Sequence, residues 1–167
     1  KMGGLTFSKV TAGSGATNYG LACNGLVYAW GENGKYECGQ GTNTPNVITE
    51  PMPVLCGDAP GYNLDGTPGG PYLGNVKFIA ATSSGGFAIL NDGTGRVVGW
   101  GGKSSANWND QPESNQPLPA FIKLKDGTPI ANAIHIGCGD DNILITVDAD
   151  GDGIGELYSQ GPLNGRG

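Results

Sequence analysis

One stretch of this chain is written more than once. Residues 10–31 read VTAGSGATNYGLACNGLVYAWG, and residues 79–101 read IAATSSGGFAILNDGTGRVVGWG. Both spell a strand, a small-residue turn, a second strand, an Asn/Asp-Gly turn and a third strand ending in Trp-Gly. Residues 134–161, IHIGCGDDNILITVDADGDGIGELYSQG, repeat the order with Gln160 in place of the tryptophan and an acidic insertion in the hairpin turn. In the first unit Tyr19, Leu21 and Cys23 alternate with small or polar residues, and Asn24-Gly25 supplies the positive φ angles that a two-residue hairpin turn demands. A lone hairpin cannot bury its apolar face, so such units stack on one another. Radial stacking of four-stranded units makes a propeller, and linear stacking makes a solenoid.

Composition agrees with an all-β chain of short strands. Gly and Pro together number 43 of 167 residues (32 and 11), which on bulk numbers alone borders on low complexity. Collagen is excluded because the glycines follow no three-residue period. Disorder fits poorly with 37% hydrophobic residues gathered in short β-branched and aromatic runs. Glycine interrupts nearly every helical window. The net charge is -6 and the nine Lys and Arg stand singly, so a phosphate-binding stripe is missing and nucleic acid is not an expected partner. No apolar run approaches the roughly 20 residues of a membrane-spanning helix, and membrane insertion is not expected. No apolar segment of the signal-peptide kind follows Lys1 and Met2. Cys23, Cys38, Cys56 and Cys138 lack the spacing of a zinc ribbon. Two disulfides or four buried thiols are both open, with Cys38–Cys56 the favoured pair if any forms.

In the first unit Ala12-Gly13, Asn24-Gly25, Val27 to Asn33 (VYAWGEN), Gly39, Gly41-Thr42 and Pro51 to Val54 occur in one order. This order resembles the regulator of chromosome condensation repeat, which builds a seven-bladed β-propeller in its best-known members. The family's histidine falls on Thr17, Gly85 and Asp140 in the three units, and its Gln-Leu on Glu37-Cys38. The resemblance implies β-propeller blades over approximate units 7–54, 78–122 and 134–161, within a single repeat region. Three units do not close a ring. The expectation is a piece of a longer protein, or copies that associate to complete it. Family members act in nucleotide exchange and chromatin binding through surface residues that this sequence does not match, so the fold does not carry those activities over.

Two sites stand out. Asp148, Asp150 and Asp152, with Gly153 at position 6, the carbonyl of Ile154 at 7 and Glu156 at 9, gather hard oxygens in the manner of a Ca²⁺ loop. Ser159 stands where an EF-hand has its glutamate, and the loop looks more like the hairpin loops of FG-GAP and integrin-type propellers. A structural Ca²⁺ ion there, bound with an affinity of order 10⁻⁴ to 10⁻³ M, stabilises the hairpin by roughly 0.5 to 1.5 kcal/mol at millimolar Ca²⁺. The alternative is a solvated acidic turn. The Gly-, Pro- and Asn-rich stretches 57–75 and 102–119 read as long loops, with Tyr62, Tyr72 and Trp108 as candidate binding residues for a protein or glycan partner.

His135 is the single histidine and reads as a strand residue, and Trp30 and Trp100 read as packing between blades. Neither a nucleophile motif nor a phosphate loop is present. The expected function is therefore a non-enzymatic binding or scaffolding module in an extracellular, cell-surface or virion setting. The alternatives are a structural repeat of a long adhesin or fibre, or a carbohydrate-active enzyme using a carboxylate pair from Asp92, Asp140 and Asp141.

Overall fold

Alternation of apolar and small residues with period two makes strands, and the Gly-containing turns fold them back at once. The computed structural model describes residues 4–102, 115–140 and 142–160. Strands β1 (Phe7–Ala12), β2 (Thr17–Ala22), β3 (Val27–Glu32) and β4 (Val47–Pro53) form an antiparallel sheet in the order β1-β2-β3-β4. A short hairpin follows, β5 (Gly61–Tyr62) with β6 (Tyr72–Leu73). The second sheet repeats the first with β7 (Val76–Ala81), β8 (Gly85–Leu90), β9 (Val97–Gly101) and β10 (Gln116–Phe121). The third has β11 (Ala133–Cys138), β12 (Ile143–Val147) and β13 (Glu156–Gln160). Each sheet is a meander whose first strand packs beside the first strand of its neighbour, β1 against β7 and β7 against β11. The three sheets are blades of a partial β-propeller, as the repeats imply. Among the described residues there is no helix.

Each blade is apolar on both faces, so the core lies between blades. Tyr19, Leu21, Val27 and Ala29 of the first blade meet Ile79, Ala88, Leu90, Val98 and Trp100 of the second. Phe87, Ile89 and Val97, from the opposite face of the second blade, meet Ile136, Ile143, Ile145 and Val147 of the third. Trp100 is 1% exposed and fixes the first interface. Its ring meets Tyr19 edge-on at 5.7 Å and 76°. Its Nε1–H donates to the Glu37 carbonyl at 2.8 Å, and the Tyr19 hydroxyl donates to the same oxygen at 2.8 Å. Gly86 lies where these two rings meet, and a Cβ there would overlap the Trp100 ring. Trp30, the equivalent residue of the first blade, is half-buried, with its ring 6.0 Å from Phe7.

The loop that presents the Glu37 carbonyl is built on one buried amide. Asn33 Oδ1 accepts from the Cys38 N–H at 3.1 Å, and its Nδ2 donates to the Thr42 and Pro45 carbonyls at 3.0 and 3.2 Å. Gly39 follows at φ 62°, and a Cβ there would overlap Val54 and crowd the Trp100 ring.

The inner strands share a β-bulge at one place, between Phe7 and Lys9, Val76 and Phe78, and Ala133 and His135. A bulge re-aims the next side chain. Here the re-aimed residues stack from blade to blade: Lys9 Nζ lies 3.1 Å from the centroid of Phe78, whose ring is 4.7 Å from that of His135. At one end of these strands the turns also join, with Ser14 Oγ donating to Asp140 Oδ1 at 2.6 Å and Ser83 Oγ donating to the Asp140 carbonyl at 2.8 Å.

Residues 57–75, read from sequence as a loop, contain the β5–β6 hairpin. Its Leu73 is fully buried in the first interface, and the Leu73 N–H donates to the Val54 carbonyl. Of 102–119, residues 116–119 belong to β10 and 103–114 lie outside the described residues. All four cysteines are free, so Cys38 and Cys56 do not pair. Cys38 is sealed in the first interface, where its thiol donates to the Glu32 carbonyl at 3.6 Å. Burial, with the nearby Glu37 charge, pushes that thiol up to about 12.

Replacing Trp100 with Ala is expected to lower stability by about 3–5 kcal/mol through cavity formation and loss of the inter-blade bond. Urea unfolding measures this, and a loss below about 1 kcal/mol would show that the interface is held elsewhere.

Candidate functional site

The chemistry-bearing residues gather at the ends of the blades where the β2–β3, β8–β9 and β12–β13 turns lie. The β12–β13 turn carries the acidic insertion. Asp148 opens it and holds it in shape: its Oδ1 accepts from the Gly151 N–H at 2.8 Å and its Oδ2 from the Gly153 N–H at 3.2 Å. Asp150 and Asp152 each accept from the N–H two residues on, at 3.2 and 2.7 Å, the second donor being Ile154. Gly151 and Gly153 adopt φ of 78° and 83°, which permits the tight coil. One carboxylate oxygen from each of Asp148, Asp150 and Asp152 comes within 4.8 Å of the others. Oxygens bound to one Ca²⁺ at 2.3–2.6 Å stand no more than about 5 Å apart, so these three fit a single ion. Glu156 is not in the group; it starts β13, paired with Val147. Ile154 is 75% exposed.

Of the aromatic candidates, Tyr62 and Tyr72 belong to the β5–β6 hairpin, directly opposite each other. Both are half-buried against Ala22, Leu26 and Tyr28 of the first blade. Trp108 lies outside the described residues.

The carboxylate pair weighed for glycoside chemistry does not form from the described residues. Asp92 follows β8, whereas Asp140 contacts Ser83 at the opposite end of that strand. Six residues of strand separate the two ends by about 20 Å, beyond the roughly 5–10 Å such a pair needs. Asp141 lies outside the described residues.

Reading the sequence for repeats of strands passed over a repeat of turns. Asp65-Gly66-Thr67, Asp92-Gly93-Thr94 and Asp126-Gly127-Thr128 are one motif used three times, twice in the hairpins that link one blade to the next. In each, the aspartate Oδ1 accepts from the threonine N–H at 2.9 Å. The Thr67 hydroxyl and N–H hold Asp65 below the usual carboxylate range, and the Thr128 N–H and hydroxyl do the same for Asp126. At Asp92 burial pushes the carboxyl up. The Thr94 hydroxyl, the Arg96 guanidinium 2.9 Å away and the Thr94 N–H outweigh it, and the result is again low.

Asparagines one residue before the inner strands were also passed over. Asn75 and Asn132 take left-handed φ of 51° and 55°. Their carbonyls accept from the N–H groups of Asn91 and Asp148, and the residues after them donate to Gly25 and Gly95 of the preceding blade. The signal was present as Asn-Val-Lys-Phe-Ile and Asn-Ala-Ile-His-Ile at one offset in two repeats.

Comparison with known proteins agrees with this architecture. The model of the Regulator of chromosome condensation (RCC1) repeat matches residues 24–61, within the first blade and the hairpin after it. Among solved structures, Prp20p from Saccharomyces cerevisiae is similar over 98% of this chain and 32% of its own, at 22% identity and a TM-score of 0.65. Yeast RCC1 (Prp20) bound to Kap60 gives 23% identity over 98% and 31%, and human WBSCR16 gives 17% over 96% and 34%, both at a TM-score of 0.65. The chain thus spans about a third of the length of these structures. The three blades have the fold of an RCC1-type β-propeller, and the resemblance read from the sequence is met in both sequence and fold. The expected extracellular, cell-surface or virion setting is corrected by the same comparison: the yeast neighbours are described by binding to histones and by a complex with Kap60, which points away from such a setting. Its support was the low charge and the acidic loop, and neither feature is tied to a compartment.

A lowered folded pKa stabilises the folded state above the unfolded aspartate value near 3.9, and that contribution is lost as pH falls through the folded value. Asp65, Asp92 and Asp126 all shift this way. The triple Asp→Asn variant is therefore expected to be less stable than the parent at neutral pH and to converge with it below about pH 4. Urea midpoints across that range test this; parallel curves would refute it.

Proposed function

We propose that this chain contributes blades of a protein-binding propeller scaffold and is not an enzyme. The observation that carries the reading is the fold itself, three RCC1-type blades packed face to face, the first two joined through Trp100 and Tyr19. The solved neighbours support it. Prp20p is described by its binding to Gsp1p and histones, and yeast RCC1 by a complex with Kap60. A rigid frame of this sort places turn residues at fixed spacing while its strands stay satisfied internally, which suits recognition of another protein.

The test is cross-linking mass spectrometry of the folded chain in a cell extract. Reconstitution with the purified partner follows, read by calorimetry. Saturable binding that is lost when the chain is unfolded is the expected result. Turnover of a small-molecule substrate without any reconstituted protein complex would overturn the reading in favour of an enzyme.

The acidic turn has a separate, structural role in this reading: Asp148, Asp150 and Asp152 hold a Ca²⁺ ion that pins the β12–β13 hairpin. It is supported by the three converging oxygens and by the hardness of an all-carboxylate set. With an affinity of order 10⁻⁴ to 10⁻³ M, about 10 mM Ca²⁺ would stabilise the chain by about 1.4–2.7 kcal/mol. Thermal melts with Ca²⁺ and with chelator measure this. A shift that disappears in Asp150→Asn/Asp152→Asn supports the ion, and coincident melts would sink it.

A further inference from the structure

The two junctions between blades open onto one furrow. A hollow of about 610 Å³ lies at the first junction and one of about 220 Å³ at the second, and Lys77 and Asn91 line both. Asn75 lines the first, with Tyr62 on its wall, and Asn132 the second, with Asp148 beside it. The backbone carbonyls of Asn75 and Asn132 are already engaged by the N–H groups of Asn91 and Asp148. The side chains are not: among the described residues the carboxamides of Asn75, Asn91 and Asn132 form no hydrogen bond and the Lys77 ammonium no ion pair. The furrow therefore has a fixed floor and free polar groups above it.

A carboxamide carries one acceptor and two donors and no charge, the same complement as a peptide unit. Repeated free carboxamides on a fixed floor match the backbone of an extended chain, which presents its peptide groups at regular spacing. A floor already held by its own hydrogen bonds needs little further ordering to bind. The charges give the furrow a direction. Lys77 lines both hollows, whereas Asp148 lines only the second. A sugar chain is matched less well, because Tyr62 is the one aromatic ring lining either hollow.

We propose that this furrow holds an extended polypeptide segment, with an acidic side chain of the segment facing Lys77. The assignment rests on the protein-binding reading above and names the form its partner takes. Exposed charges act on selectivity more than on affinity, so the prediction concerns preference.

The probes are three fluorescein-labelled, unstructured Thr/Val-rich octapeptides that differ only in a central Glu, Gln or Lys, read by anisotropy with the whole chain. The Glu peptide is expected to bind about fivefold more tightly than the Lys peptide, the scale of an exposed ion pair. Lys77→Glu should reverse that order. Asn91→Ala and Asn75→Gly, the second chosen to keep the left-handed backbone, should weaken all three peptides alike. Unfolding midpoints of the variants serve as the folding control. Equal binding of the three peptides, an order unchanged by Lys77→Glu, or binding of chitohexaose with no peptide bound would overturn the proposal. A reconstituted protein complex that survives Lys77→Glu and Asn91→Ala would overturn the furrow and leave the protein-binding reading standing. If neither peptide nor protein binds, both fall.

Discussion

The structure depends on one carbonyl oxygen. Glu37 presents it from a loop of the first blade, and it accepts both from Tyr19 of its own blade and from Trp100 of the next. A buried carbonyl has two lone pairs, and leaving either unmade costs more than an average hydrogen bond contributes. Both are filled here by the polar tips of two large rings whose bodies form the hydrophobic seam. Packing and polar satisfaction therefore point to the same arrangement of blades, and slippage of one blade against the other would break both at once. The loop is in turn fixed by the Asn33 amide, so a polar network from one side chain sets the register of two sheets.

Around that seam the blades repeat small devices, and the repetition gives the molecule its faces. The bulge in each inner strand brings Lys9, Phe78 and His135 into one stack. The left-handed asparagines before β7 and β11 tie each inner strand to the turn of the preceding blade. These contacts consume backbone groups and leave side chains free, which is how a rigid β-scaffold obtains an adaptable polar surface. The furrow beneath Lys77 follows from that division, as does the absence of convergence between Asp92 and Asp140: turns at opposite ends of a blade cannot meet.

Much of the architecture was legible in the residues. The turn at Asn24-Gly25 and the alternation through Tyr19 and Leu21 specify β2 and β3 with little outside help, because a turn and a pleat are local, although the connection has four residues and only Gly25 of the pair takes a positive φ. The acidic turn was legible for the same reason, and its three aspartates do meet. Glu156 stands outside that group of three because it opens β13, paired with Val147, a pairing that the local spacing does not reveal. The stretch 57–75 was read as a loop because its Gly and Pro are turn formers. Its strands are only two residues long, and Leu73 becomes a core residue by docking under Val54. The cysteines left their pairing open, since sequence spacing does not tell which thiols meet.

The sequence by itself determined the repeat, the strands, their turns and the family likeness, all of which rest on neighbours a few residues apart. Only the tertiary structure decided what each blade face touches. Trp100 is 63 residues from the carbonyl it binds, and Ser14 is 126 from the aspartate it reaches. Period-two patterning says that a face is buried, and it is indifferent to what buries it. The partners of Trp100, the free amides along the furrow and the stack on Phe78 are set by how blades rotate about a common axis, a relation between sheets that no local run of residues encodes.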